Sequence, residues 1–171
     1  MDDRLASIDL GSNTFRLSIG RIVRHGGAVQ IYPEDKLREL GYELTKPKPP
    51  VASYVPVTRT GNILYVSGQI SSSADGVVQG LLGETMNVVQ GQNAAELCAV
   101  NILSQIVFSG GAELAQVKRM LKLTVLVAST PEFQEQHLVA NGASNLLVNV
   151  LGDKGKHARA AFGVVSFPLG A

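Results

Sequence analysis

Three histidines, one cysteine, one arginine in a small-residue strand and one Asp-led glycine turn are the groups of this chain that could do chemistry. His25, His137 and His157 stand far apart, with no cluster of Asp, Glu or Cys at ligand spacing, so no metal site is expected. His137 falls between Phe133 and Ala140 on a helical pattern and reads as a partly buried packing histidine rather than a catalytic one. Cys98 sits on an apolar helical stripe, where a thiol is ordinarily inert. Asp9-Leu10-Gly11-Ser12-Asn13-Thr14 is different. A carboxylate closing a strand before a turn of small residues can offer backbone N–H and hydroxyl groups to a phosphate, with the Asp near a metal ion. Arg159 lies in His157-Ala158-Arg159-Ala160-Ala161-Phe162-Gly163-Val164, one guanidinium in a run of small and apolar residues. Its planar fork suits a carboxylate. From spacing alone it reads equally as a surface arginine or a partner in an intersubunit ion pair.

Composition bounds what these groups can serve. The chain has 171 residues, 45% hydrophobic and 17% charged, which suits a soluble chain able to bury a core. A net charge of +1 argues against binding nucleic acid through a broad basic face. No apolar run reaches the roughly 18 residues a membrane helix needs, and no membrane partner is expected. Cys98 is alone, so neither an intramolecular disulfide nor a Cys-rich zinc site can form. A reducing, cytoplasmic location fits that usage.

The elements that must position these groups follow from periodicity. Residues 4–32 read as a β-hairpin, with Phe15, Leu17 and Ile19 at a period of two after the turn-rich Gly11-Ser12-Asn13. Residues 34–43 are charged and helical in pattern, and Pro47-Lys48-Pro49-Pro50 must be extended. Strand 63–70 follows the turn Thr60-Gly61-Asn62, and Asp75-Gly76 marks a hairpin turn. Residues 88–108 carry a wide apolar stripe at helical spacing, ended by Gly110-Gly111. A β-rich run covers 120–127. Thr130 as N-cap, Pro131 at the first helical position and Glu132 in the first turn predict a second helix to about Leu151. The last strand is 158–167. The order predicts an α+β fold: a mainly antiparallel sheet with two helices on one face, preceded by an extra β-hairpin. The other face of the sheet is left for another subunit.

Val51-Ala52-Ser53-Tyr54-Val55-Pro56, Arg59-Thr60-Gly61-Asn62, Leu64-Tyr65-Val66-Ser67-Gly68-Gln69-Ile70, Ser129-Thr130-Pro131-Glu132-Phe133, Asn141-Gly142-Ala143-Ser144 and His157-Ala158-Arg159 agree in order and spacing with one known family. Residues 34–169 resemble the Rid family, also called YjgF/YER057c/UK114 or reactive intermediate deaminase. The resemblance implies a chorismate-mutase-like fold and a homotrimer with clefts between subunits. It implies hydrolysis of small 2-imino acids, or their enamine tautomers, to 2-keto acids and ammonia, with no cofactor. By the same resemblance Arg159 grips the substrate carboxylate, Tyr54 is the pocket tyrosine, Ser67 lies in the cleft segment and Asn141 stands near the pocket. Read as residues alone, Tyr54 is equally a packed strand aromatic and Ser67 a turn or bulge residue beside Gly68. Asn141-Gly142 inside a helix equally signals close helix packing.

Two departures bear on activity. Ala161 stands where the family often carries a small thiol. The resemblance also implies a further strand after Phe167-Pro168-Leu169, carrying a glutamate that positions the attacking water, whereas the sequence stops at Ala171. The expectation is therefore a deaminase with weak or lost turnover, the alternative a trimeric carboxylate-binding protein without catalysis. Residues 4–33, through Phe15-Arg16-Leu17 and Ile31-Tyr32-Pro33, resemble instead the opening of the exopolyphosphatase/guanosine pentaphosphate phosphatase family. That family completes its site far downstream, over two domains that do not follow here. Residues 1–33 are thus expected to be a separate segment, and 34–171 the Rid-like domain.

Overall fold

The computed structural model describes the backbone of residues 3–11, 14–25, 28–30, 32–50, 52–167 and 170, and side chains from residue 32 onward within that set. The side chains of Asp9-Leu10-Gly11-Ser12-Asn13-Thr14 and of His25 lie outside the described residues. The chain divides into two compact units, 1–43 and 44–171.

The first unit is a three-stranded antiparallel meander followed by a short helix. Strand β1 (Asp3–Gly11) pairs with β2 (Thr14–His25) from Asp3 opposite Ile22 to Gly11 opposite Thr14. The far end of β2 pairs with β3 (Ala28–Gln30), so the expected hairpin has a third strand. Helix α1 (Pro33–Glu39) starts with proline at its first position, where the missing N–H costs nothing. Arg38 donates to Asp35 one turn earlier at 2.6 Å.

The second unit is built around two packed helices. Strand β4 (Val57–Thr60) turns at Gly61, φ +54°, into β5 (Ile63–Val66). The short ladder of β6 (Ser72–Ser73) and β7 (Gly76–Val77) closes around Asp75-Gly76. Helix α2 (Val88–Phe108) opens with a capping box: Asn87 Oδ1 accepts from the Gln90 N–H at 3.0 Å, and Gln90 Oε1 accepts from the Asn87 N–H at 2.9 Å. Strand β8 (Lys122–Ala128) runs parallel to β9 (Ala158–Val164), with helix α3 (Gln136–Leu151) between them in sequence.

Ala95, Ala99 and Leu103 of α2 and Ala140, Ala143 and Leu147 of α3 are buried. Small residues let the two helices approach closely, and Gln92 of α2 donates to the Leu138 carbonyl of α3 at 2.9 Å. Asn101 of α2 holds the chain leading into β6 through the carbonyls of Ile70 and of Ser72, the first residue of that strand, both at 3.0 Å. On β8, Leu123 and Val127 are buried while Leu126 between them is exposed. That alternation turns one face of the strand inward.

The structure moves three expected boundaries. Helix α3 begins at Gln136, not at Thr130. The Thr130 N–H is spent on the Leu82 carbonyl at 2.9 Å, prolonging the extended course of β8. Phe133 packs on the cluster of Leu82, Val127 and Val139, so the chain stays irregular until it has delivered that ring. Strand β5 stops at Val66 instead of reaching residue 70, because Ile70 and Ser72 are drawn to Asn101. Strand β9 ends at Val164. Among the described residues the strands form separate two- and three-stranded ladders rather than one sheet, and β8–β9 is parallel.

Candidate functional site

Arg159 is the second residue of β9 and faces α3. The helix presents His137, Asn141 and Ser144 at i, i+4 and i+7, which share one face. Arg159 Nη1 donates to Asn141 Oδ1 at 2.9 Å and to Ser144 Oγ at 3.0 Å, and Nη2 donates to the His137 carbonyl at 3.2 Å. A guanidinium has five N–H donors. Three are engaged, all by neutral oxygens. Among the described residues Nε–H and the second Nη2–H have no acceptor, and no carboxylate pairs with the group. Asp153, in the 3-10 turn of Gly152–Gly155, is held by Lys156 at 2.7 Å, and that contact keeps its carboxyl below the usual range.

His157 stands two residues before Arg159. Its Nδ1 lies 2.6 Å from the Gly155 carbonyl and its Nε2 3.0 Å from Ser144 Oγ. Gly155 itself has no space for a Cβ, because the Leu147 carbonyl of α3 presses against it. The turn is thereby docked on the end of α3, and it delivers His157 to Ser144.

The other expected site residues lie elsewhere in the unit. Tyr54 is exposed, at 52%, in a bend where its N–H donates to the Ala52 carbonyl at 2.8 Å. Ser67 follows β5, and its Oγ accepts from Gln69 at 3.4 Å. Gln69 in turn accepts from the buried Gln105 of α2 at 3.4 Å. Ser67 lines a cleft of about 1120 Å³ bounded by Leu64 and Val66 of β5, by Leu123 and Val125 of β8, and floored by Ala94 and Cys98 of α2. Arg159, Asn141 and Tyr54 are not part of that lining. The structure thus joins Arg159 to Asn141, and among the described residues it hydrogen-bonds neither Tyr54 nor Ser67 to them. His137, expected as a half-buried packing group, is exposed, because the inward positions of this turn are taken by Val139 and Ala140; it contributes its backbone carbonyl to Arg159.

Ser144 and His157 stand in the motifs that carry the resemblance, but the sequence assigned neither a role at the site. The signal for them is in the spacing: Ser144 continues the face of His137 and Asn141, and His157 stands two residues before Arg159, at the entry to β9. Cys98 keeps some surface open to the cleft, and burial of the rest pushes its thiol up to about 12. Among the described residues no three His, Cys, Asp or Glu gather as metal ligands. No helix among them is long and apolar enough to cross a membrane.

The α+β arrangement of two packed helices against short strands is that of the chorismate-mutase-like fold. Residues 34–171 match the family described as "YjgF/chorismate_mutase-like, putative endoribonuclease", and the chain belongs to that family. It is similar to Protein TCP17 of Trypanosoma cruzi, with 43% identity over 137 residues, 79% of this chain and 85% of that protein. Among solved structures it is similar to a protein of unknown function from Agrobacterium tumefaciens, 49% identical, with a TM-score of 0.74 over 81% of this chain and 85% of the other. A protein from Shewanella oneidensis MR-1 given the endoribonuclease label is 28% identical, with a TM-score of 0.77 over 82% and 93%.

Proposed function

We propose that this chain is a hydrolytic deaminase of small 2-imino acids, or of their enamine tautomers, working without a cofactor. The observation that carries the proposal is Arg159: an exposed guanidinium anchored by three neutral oxygens, with two N–H donors that no described residue takes and that are left for an anion. A substrate carboxylate is the partner that such a fork takes best. With the carboxylate held, the protonated imine carbon is already electrophilic. Water adds to that carbon, a proton moves from the added water to nitrogen, and the C–N bond breaks to leave the 2-keto acid and ammonium. Orientation of the bound imine supplies the rate gain. In this reading Arg159 binds substrate, Asn141 holds Arg159, and Tyr54 and Ser67 complete the cleft from a neighbouring subunit.

Exposed apolar side chains support assembly into a homotrimer. Leu126 and Phe162 stand opposite each other on β8 and β9, and Tyr65 extends from β5; Phe162 is 55% and Tyr65 60% exposed. Leu126 points away from the buried Leu123 and Val127, as expected of a strand face covered by another copy. Residues 1–33 lie ahead of the matched region, and deleting them is expected to leave this activity intact.

A second reading, a carboxylate-binding protein without catalysis, is favoured by the lack of any carboxylate against Arg159 among the described residues. Asn141, Ser144 and His157 include one base, and its Nε2 is occupied by Ser144. Ammonium release from freshly generated 2-iminobutanoate separates the two. Faster release than in buffer, lost in Arg159→Ala, supports the deaminase. Release equal to buffer alongside keto-acid binding leaves the binding protein.

A further inference from the structure

We propose that His157, acting through Ser144, is a positioning residue that sets the guanidinium of Arg159 for its anion. The inference rests on the carboxylate reading of Arg159 above. A backbone carbonyl can only accept, so the 2.6 Å contact to Gly155 requires the proton of a neutral His157 on Nδ1. Nε2 is then a bare acceptor, 3.0 Å from Ser144 Oγ. A hydroxyl has one proton and two lone pairs. Its proton goes to Nε2, and a lone pair receives Arg159 Nη1–H at 3.0 Å. With the ring neutral the direction of every bond follows: Arg159 donates to Ser144, Ser144 to His157, His157 to Gly155.

The imidazole matters because of what a helical serine otherwise does. Its hydroxyl ordinarily turns back to the carbonyl four residues earlier, here Ala140. That bond competes with the one to His157 and swings the oxygen's lone pairs off the guanidinium. His157 draws the proton the other way and keeps the acceptor aimed at Nη1. Ser144 and Asn141 together occupy both Nη1 protons. The fork is thus held from one side, and the remaining Nε–H and Nη2–H are presented as a preset pair. Ordering these donors before the ligand arrives removes a cost from binding.

The test uses the full chain and two readouts. The first needs no ligand: ¹⁵N NMR of the His157 ring and of the Arg159 side chain. Wild type is expected to show the Nδ1-protonated tautomer and slowed rotation of the Arg159 guanidinium, and rotation is expected to quicken in His157→Ala and Ser144→Ala. An Nε2-protonated ring, or unchanged Arg159 signals in both variants, overturns the proposal. The second readout is titration of 2-ketobutyrate. His157→Ala is expected to bind about tenfold more weakly, the loss of one hydrogen bond to a charged group. His157→Gln, which restores an acceptor, is expected to recover most of the affinity, which a merely structural histidine would not do. Equal affinity in wild type and His157→Ala overturns positioning and leaves the carboxylate reading standing. A wild type with the ordered guanidinium but no 2-ketobutyrate binding supports positioning and removes the carboxylate reading.

Discussion

Gly142 of α3 lies against the backbone of Gln92 in α2 so closely that a Cβ on Gly142 would overlap the Gln92 carbonyl. The residue beside it, Asn141, is the one that holds Arg159. The helix seam and the site therefore share one turn of α3.

Gly142→Ala tests that seam. Helix propensity alone favours alanine by about 1 kcal/mol. Overpacking against backbone, which has no rotamer with which to yield, costs about 1–3 kcal/mol. The variant is expected to unfold at lower urea concentration than wild type. A variant at least as stable would show that α2 and α3 can part without loss.

Arg159 is expected to dominate ligand binding. A hydrogen bond to a charged group is worth about 1.5–3 kcal/mol, and the free guanidinium donors offer a carboxylate two of them. The measurement is calorimetric titration of 2-ketobutyrate into wild type, Arg159→Lys and Arg159→Ala. Lysine keeps the charge but not the fork, and it cannot reach Asn141, Ser144 and the His137 carbonyl together, so both variants are expected to bind poorly. Equal affinities across the three would make the guanidinium a structural group.

Cys98 predicts an alkaline limb of stability. Its thiol titrates near 9.0 when solvated and near 12 in the fold, because burial disfavours the thiolate. A group whose folded value is raised stabilises fully below the unfolded value. That contribution fades as pH climbs from about 9 toward 12. Thermal unfolding between pH 8 and 10.5 is expected to fall more steeply for wild type than for Cys98→Ala. Modification by a disulfide reagent at pH 8 should be slow until the chain unfolds; rapid reaction in the native state would contradict the burial.

The trimer is checked by light scattering. Wild type is expected at three times 18.1 kDa. Phe162→Glu, on the exposed strand face, is expected to shift the chain toward monomer while leaving the Arg159 network, on the opposite face of β9, in place. A wild-type monomer at micromolar concentration would remove the intersubunit cleft.

Much of this protein is legible residue by residue. Helix α2 follows from its apolar stripe and the glycines after it, and its observed span of Val88–Phe108 is the one the periodicity marks. The turns at Gly61 and Asp75-Gly76 need a residue with a free backbone, and the chain supplies it there. Arg159 stands out as a cation among small strand residues. These features depend on neighbours along the chain, which is the information a sequence carries openly. What surrounds Arg159 depends on neighbours in space. Ser144 and His157 are thirteen residues apart and meet only because the turn at Gly155 folds back onto α3. The start of α3 was decided in the same way. Thr130, Pro131 and Glu132 carry the local signals of a helix start, but the Thr130 N–H already had a partner in Leu82, nearly fifty residues away. A backbone hydrogen bond and a partly buried Phe133 packed on the core together outweigh a capping preference worth about 1 kcal/mol. Propensity therefore proposes where elements begin, and long-range pairing decides.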